Sequence, residues 1–317
     1  MSDKLPITLA AGSGPTFGVD DLACAAATFL GFWEDEGLEV TWIPVHGGVA
    51  AMDSVLKGES DVSYGGLGPV LRFRSDGQPV RVVVSMARAL AQNLVTQKSI
   101  ASTDQLTGIS WALDGIGALS HHMARLVVGA LNIPESEIDW KVLGPPPERI
   151  EQLLTGDVDV SLIRVEEALS LSSDDSNALH TLLGFAELKD LVPVQPHGVL
   201  ATLESYEQTH GEELHRLTRG MMLASRALND DFEAFRKTVD HHVSVAIDDD
   251  AMRAIWEQEQ AAGSFAVDGE LTADHWSRQM ELFYALNPDM DRITFDDVIA
   301  PQFVAAALDE LGHHIRR

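Results

Sequence analysis

Apolar and polar residues alternate in short runs along residues 5–86 and again along residues 103–185, and between these runs apolar residues recur every three or four positions. The first spacing is typical of half-buried strands and the second of amphipathic helices. The first stretch is predicted to contain strands Ile7–Ala11, Val40–Val45, Asp61–Tyr64 and Val80–Ser85 with helices Asp20–Glu36 (ended by Gly37) and Val49–Lys57. The second stretch is predicted to contain strands Gly108–Leu113, Ile138–Leu143 and Val158–Ile163 with helices Ser120–Leu131 and Glu148–Leu154.

One sequence unit occurs twice, 98 residues apart and without a gap, in residues 39–63 and 137–161. Each copy is predicted to form a strand, a break at Gly or Pro, a helix and a second strand. The two copies share seven identities in 25 positions: Glu39/Glu137, Trp42/Trp140, Leu56/Leu154, Gly58/Gly156, Asp61/Asp159, Val62/Val160 and Ser63/Ser161. The repeat predicts two similar α/β lobes, and a cleft between lobes is a place where small molecules bind.

The rest of the chain suggests how the lobes are connected. Residues 204–311 are predicted to be mostly helical, from the spacing of apolar residues such as Leu214 and Leu217. Segments 92–99 and 194–203 resemble two strands on which the chain crosses into an inserted domain and returns. We therefore expect a discontinuous domain I of residues 1–95 and 200–317, a domain II of residues 96–199, and a ligand cleft between them.

The net charge of the chain limits the classes of partner that the protein is expected to bind. The chain has 49 acidic and 22 basic residues, a formal net charge of −27. Such an acidic surface repels phosphate backbones and anionic lipids, which argues against nucleic-acid and membrane-surface roles. The acidity is explained by solubility or by adaptation of the host to salt, and the sequence leaves both explanations open.

The cysteine content and the hydropathy of the chain indicate its redox chemistry and its location in the cell. The single cysteine, Cys24, excludes an internal disulfide, and its apolar helical surroundings predict a buried structural thiol. No apolar stretch approaches the roughly 20 residues of a membrane-spanning helix, so no membrane insertion is expected. The N-terminal residues lack the pattern of an export signal. The sequence as it stands therefore predicts a cytoplasmic protein, or a periplasmic or extracellular one if a signal was removed.

Five segments of the sequence resemble segments of a known protein family. They are GFWEDEGLEV (31–40), GGVAAMDSVLKGESDVSYGGLGP (47–69), DGQPVRVV (76–83), SIASTDQLTGISWA (99–112) and GALSHHMARLVVGAL (117–131). In order and spacing they resemble the type II periplasmic-binding-protein fold, specifically its NMT1/SsuA/TauA-like branch of ABC-transporter substrate-binding proteins. The resemblance implies a two-lobed α/β protein with domain II inserted into domain I and a helical C-terminal third.

The ligand site is expected where parallel strands end, because ligands of open α/β sheets bind beyond the carboxyl ends of the strands. Four loops have suitable positions: residues 12–18, with glycines and an aromatic ring, His46–Gly48, Tyr64–Gly66 and Gly115–Ser120. Free backbone N–H groups at helix starts favour an anion. Ser120 either caps its helix or binds an oxyanion, and residues 12–18 are either a plain turn or part of the site.

Charged candidates follow the later strands. Arg164, with Glu166, follows the second copy and either binds a carboxylate or sulfonate or forms a surface ion pair with Glu166 or Glu167. Arg88 has the same two interpretations, and His46, His121 and His197 are candidate proton donors. The predicted ligand-binding set is Ser13, Gly14, Phe17, His46, Gly47, Tyr64, Gly65, Arg88, Gly117, Ser120, His121, Arg164, Glu166 and His197.

No metal or cofactor is expected. The adjacent histidine pairs 121–122, 241–242 and 313–314 are poorly spaced for helical metal binding, which uses residues four apart. Phosphate-loop and dinucleotide-binding signatures are absent from the sequence.

Two function classes remain. The first is a receptor for a small anionic organic acid that presents its closed form to an ABC permease. The second is a cytosolic enzyme on the same fold, decarboxylase-like or otherwise lyase-like, acting on a small acid that could be aromatic, with His46, His121 and Arg164 as candidate catalytic residues. The family's cysteine-dependent enzymes fit poorly, because Cys24 lies inside a helix rather than in the first loop.

Overall fold

The computed structural model describes residues 4–12, 18–45, 47–88, 92–116, 119–144, 146–164, 167–168, 171, 173–192, 197–243, 247–269, 271–273, 276–277, 280, 283–284 and 288–315. The chain folds into two compact units. The first comprises Met1–Leu90, Gln195–Ala246 and Glu259–Arg317, and the second comprises Ala91–Val194 and Ile247–Gln258. Among the described residues no helix is both long and apolar enough to cross a membrane.

The first unit is built on a five-stranded sheet. Its strands are β1 (Leu5–Ala11), β2 (Leu38–Pro44), β3 (Val62–Gly65), β4 (Val80–Ala87) and β10 (His197–Leu203), in the order β2-β1-β3-β10-β4. β1 pairs in parallel with β2 and β3, whereas β10 runs antiparallel to β3 and β4. The carboxyl ends of β1 to β4 therefore lie at one edge, together with the start of β10.

The second unit repeats this arrangement. Its strands are β5 (Gln92–Gln97), β6 (Ser110–Leu113), β7 (Asp139–Val142), β8 (Val160–Arg164) and β9 (Leu179–Leu183), in the order β7-β6-β8-β5-β9. β6 pairs in parallel with β7 and β8, and β5 runs antiparallel to β8 and β9. The carboxyl ends of β6, β7 and β8 thus share an edge with the start of β5.

Helices follow most of the parallel strands. The first unit contains α1 (Val19–Phe29), α2 (Phe32–Asp35), α3 (Gly47–Leu56) and α4 (Leu67–Ser75), and the second contains α5 (Leu119–Ala130), α6 (Pro146–Thr155), α7 (Ser173–Ala178) and α8 (Phe185–Leu191). The C-terminal third is helical as predicted, with α9 (Glu204–Thr209), α10 (Gly211–Asp230), α11 (Phe232–His242), α12 (Asp249–Ala262), α13 (Phe295–Val298) and α14 (Pro301–Leu311). Short 3₁₀ turns occupy Thr103–Gln105 and Glu135–Glu137.

Two local predictions were wrong. The single helix predicted over residues 20–36 is divided into α1 and α2, because Gly31 adopts a left-handed conformation with φ of 83°. The apolar periodicity continues across this break and conceals it. Helix α4 was not predicted; Pro69 lies in its first turn, where proline needs no hydrogen-bonded N–H.

The predicted β-loop-α-β repeat is confirmed as β2-α3-β3 and β7-α6-β8. The matched aspartates perform the same task in each copy. Asp61 Oδ2 accepts hydrogen bonds from Thr8 N (2.7 Å) and Thr8 Oγ1 (2.6 Å). Asp159 Oδ2 accepts from Ser110 N (2.8 Å) and Ser110 Oγ (2.6 Å). Each aspartate therefore ties the end of its repeat to the neighbouring central strand.

Each unit has its own apolar core. In the first, the helix face of α3 packs with α4 and the valines of β4, including Met52, Val70 and Val82. In the second, Leu153 of α6 packs against Val95 and Ile163 on the sheet. Two separate cores explain why the repeat yields two units rather than one extended sheet.

Candidate functional site

The edge of the first sheet is made of closely packed backbone. Gly12 N donates to Tyr64 O at 3.0 Å, and Gly47 N donates to Gly12 O at 2.8 Å. A methyl group on Gly12 would lie 2.9 Å from Gly47 C, and one on Gly65 would lie 2.9 Å from Gly48 Cα. Only glycine fits where these loops meet, so this edge presents main-chain groups rather than side chains.

A buried carboxylate lies beside this glycine-lined edge. Asp20, in the first turn of α1, is 5% exposed, and the buried Tyr64 hydroxyl donates to its Oδ2 at 3.3 Å. A methyl group on Gly198 would come within 2.3 Å of the Asp20 Cβ. Tyr64, a predicted ligand residue, thus ties β3 to α1, and Asp20 is a site-edge residue that sequence reasoning missed.

The surroundings of α1 explain the raised pKa of the single cysteine, Cys24. Asp21 is fully buried, and its Oδ2 lies 2.8 Å from Nε2 of His242 on α11. Burial first, and then the nearby charges of Asp21 and Asp20, raise the pKa of the Cys24 thiol well above its usual value. Cys24 is fully buried against the sulfur of Met86, which confirms the prediction of a structural thiol.

Two further predicted residues lie at the far side of the first sheet edge. Arg88 follows β4, is half-buried, and donates its backbone N–H to Ser264 O at 2.8 Å. His197 begins β10, where its backbone is in register with Ala87; its side chain lies outside the described part of the structure. Both positions are therefore on the same edge as the glycine-lined loops.

The edge of the second sheet is instead made of polar side chains. Ser120 Oγ, in the first turn of α5, accepts a hydrogen bond from Asp114 N at 2.8 Å. Asp114 follows β6, and its Oδ1 lies 3.0 Å from Nε of Arg149. Nη1 of Arg149 donates to Leu162 O (2.8 Å) and Ser161 Oγ (3.1 Å). Ser120 thus keeps its own hydroxyl proton for a further acceptor.

Arg149 and Asp114 are residues that sequence reasoning missed. Arg149 is only 5% exposed, which is unusual for arginine, and it lies inside the second copy of the repeat. The aligned residue of the first copy is Ala51, which is fully buried. The sequence shows the substitution of arginine for alanine between the copies, and the structure shows that both positions are buried.

His121, next to Ser120, is shielded from solvent. Its side chain packs edge-on against Trp140, with ring centroids 5.3 Å apart. Burial, followed by the positive charge of Arg125, lowers the pKa of His121 below its ordinary value, while Glu135 opposes that shift. The imidazole is accordingly neutral at pH 7, a state in which one ring nitrogen donates and the other accepts.

Arg164 ends β8 and is paired in register with Gln92 of β5. Its side chain is half-buried, and its backbone N–H donates to Glu167 Oε2 at 2.9 Å. Gln92 is 7% exposed, and its Oε1 is buried without a hydrogen-bond partner among the described residues. The sheet order β6-β8-β5 places Asp114, Arg164 and Gln92 along one edge.

Part of the predicted set is not described. Ser13, Gly14, Phe17, His46, Gly117 and Glu166 lie outside the described residues. Of the histidine pairs, His241 stacks on Phe29 and His314 Nε2 contacts Asp230 at 2.8 Å. Within the part of the chain that the structure describes, no group of three or more His, Cys, Asp or Glu residues is arranged to hold a metal ion.

Comparison of the sequence with protein families gives one match. The sequence profile of a family described as NMT1/THI5-like matches residues 22–227. No curated protein matches the chain significantly.

Solved structures resemble the whole chain. A protein from Bordetella bronchiseptica RB50 has a TM-score of 0.80 at 18% identity, covering 98% of this chain and 99% of the other. The periplasmic aliphatic sulphonate binding protein SsuA from Escherichia coli has a TM-score of 0.70 at 12% identity, covering 94% and 92%. The periplasmic nitrate-binding protein NrtA from Synechocystis PCC 6803 has a TM-score of 0.70 at 12% identity, covering 98% and 90%. These similarities confirm the predicted type II periplasmic-binding-protein fold.

Proposed function

The chain belongs to the NMT1/THI5-like family, and from this premise we propose that it is a solute receptor that binds a small organic acid, a carboxylate or sulfonate. The binding groups are those at the carboxyl edges of the parallel strands, where ligands of α/β proteins bind. A receptor of this kind has an ABC permease as its partner.

The observation that carries the proposal is the edge of the second sheet. Arg164, at the end of β8, supplies a guanidinium suited to a carboxylate or sulfonate. Ser120 and His121 lie in the first turn of α5, a helix of 12 residues whose N-terminal N–H groups and dipole favour negative charge. The Arg164 guanidinium, the Ser120 hydroxyl and the N–H groups of the first turn of α5 are hydrogen-bond donors on one edge of the sheet. Together they favour an acidic ligand.

The glycine-lined edge of the first unit supports the same proposal. A methyl group on Gly12 or Gly65 would meet backbone atoms of Gly47 or Gly48, whereas the space beside the Cα of Gly47 is open among the described residues, so a ligand group can approach the main chain at Gly47. The structural relatives are consistent with this class of ligand: one is described as binding aliphatic sulphonates and another as binding nitrate.

The proposal is tested by thermal unfolding with a panel of carboxylates and sulfonates. We expect at least one acid to raise Tm, because a ligand at about 100 times its Kd adds roughly 2.7 kcal/mol to stability. Arg164→Ala should reduce the shift, whereas Lys141→Ala, at an exposed lysine paired with Asp139 in the same unit, should not. A panel that leaves Tm unchanged, or an Arg164→Ala variant that binds normally, would contradict the proposal.

A receptor must also return its ligand unchanged. NMR spectra of a binding acid, recorded during incubation with the protein, should show no product. Conversion of the acid would instead favour an enzyme on the same fold.

A further inference from the structure

The buried arginine of the second unit has no counterpart in the first. Arg149 occupies the position of Ala51 in the aligned copy, and both residues are buried. Removing a guanidinium from water costs several kcal/mol unless the charge is compensated, and an apolar residue satisfies the fold in the sister copy. The charge is therefore specific to what the second unit does rather than to how the repeat folds.

The contacts of Arg149 fix one residue of the site edge. Leu162 O and Ser161 Oγ hold Nη1, and Nε faces Asp114 Oδ1 at 3.0 Å. Oδ1 is buried, yet the Asp114 side chain retains 38% exposure, which therefore falls on the remaining atoms of the side chain. A carboxylate held at one oxygen by a buried cation leaves its other oxygen as an oriented acceptor.

A second acceptor on the same edge, Gln92 Oε1, is without a partner among the described residues. Gln92, more than nine-tenths buried, has an Oε1 atom without a hydrogen-bond donor among the described residues. Leaving a buried acceptor unsatisfied costs about 1–3 kcal/mol. Asp114 and Gln92 lie on either side of Arg164 in the sheet order, so this edge combines acceptors with a cation.

We propose that Asp114 receives a hydrogen-bond-donating group of the ligand, an amine, ammonium or hydroxyl, and that Arg149 is its positioning residue. This inference rests on the proposed function and narrows it: the ligand is an acid that also carries a donor. The acidic group is placed toward Arg164 and the α5 turn, since the Asp114 carboxylate repels an anion. An amino- or hydroxy-substituted carboxylate or sulfonate has both features.

The test compares matched acids by calorimetry on the full chain: ethanesulfonate with 2-aminoethanesulfonate, propanoate with 3-aminopropanoate, and benzoate with 4-hydroxybenzoate. In at least one pair the donor-bearing acid should bind about tenfold tighter, because a site built around an acceptor rejects a ligand that leaves it unpaired. Asp114→Asn should reduce that preference to below about threefold, while the plain acid, no longer repelled by the carboxylate, should bind at least as tightly as before.

Two variants distinguish a role of Arg149 in positioning Asp114 from a role in folding. Arg149→Lys keeps a cation but loses the rigid fork, so the preference should fall without loss of plain-acid binding. Asp139→Asn, an exposed residue of β7, should change neither affinity. Equal binding of both acids in every pair by the wild-type chain, or an undiminished preference in Asp114→Asn, overturns the inference while leaving acid binding intact. If no acid of any pair binds, the proposed function itself is contradicted and this inference with it.

Discussion

The two copies of the repeat differ most near the carboxyl edges of their sheets. Both are tied to a central strand by the same contact, Asp61 to Thr8 in one and Asp159 to Ser110 in the other. Beyond that contact the first copy contains Gly47 and Gly48 and is followed by Gly65, whereas the second copy contains the buried Arg149, which pairs with Asp114 at the end of β6. The identical aspartates therefore maintain the fold, and the differing positions carry the chemistry that we propose.

The largest predicted effect on stability comes from replacing the buried Arg149. Arg149→Met removes the ion pair with Asp114 and two hydrogen bonds to β8, and should lower the free energy of unfolding by about 3 kcal/mol. Urea denaturation measures the loss. Lys141→Met, which breaks an exposed ion pair with Asp139, should cost less than about 1 kcal/mol. Equal losses in the two variants would show that Arg149 is dispensable for the second copy.

A smaller effect tests the equivalence of the matched aspartates. Asp61→Ala and Asp159→Ala should each cost about 2 kcal/mol, because each removes a carboxylate that accepts from one N–H and one O–H. Urea denaturation of both variants should give losses that agree within about 0.5 kcal/mol.

The control for that pair is Asp157→Ala. The Asp157 carboxylate accepts a hydrogen bond from the exposed Thr155 hydroxyl, so its loss should change stability by less than about 0.5 kcal/mol. A large loss for one matched aspartate and none for the other would contradict the structural equivalence of the copies.

The sequence was sufficient to predict the repeat and most of its strands and helices, because their periodicity is local. It also placed Arg164, Ser120 and His121 near strand ends. It did not predict Arg149 as a buried residue, since an arginine in an amphipathic helix is ordinarily exposed and only the packing against Ser161 reveals otherwise. Nor did it indicate that Gly31 ends α1, because the apolar periodicity continues across this glycine.

The smallest predicted effect concerns the matched tryptophans. Trp42 donates its indole N–H to Thr28 Oγ1 at 3.0 Å and lies tilted against His242, with ring centroids 6.5 Å apart. Trp140 instead packs on His121, whose pKa is lowered mainly by burial and further by Arg125. The unfolded chain therefore binds more protons at this residue, so stability rises with pH from the lowered pKa to about 6.5 and is lost as pH falls through that window.

His121→Gln should remove this component and leave the variant less sensitive to acid than the wild type. The midpoints of urea denaturation are measured for both proteins at pH 7.5 and pH 5.5. Relative to the wild type, the midpoint of the variant should be higher at pH 5.5 than at pH 7.5. The pH 7.5 pair is the control, because His121 is neutral there in both the folded and the unfolded chain. Parallel pH profiles for the two proteins would mean that His121 takes up its proton as readily in the folded chain as in the unfolded one. The two tryptophans would then be equivalent with respect to pH, despite their different neighbours.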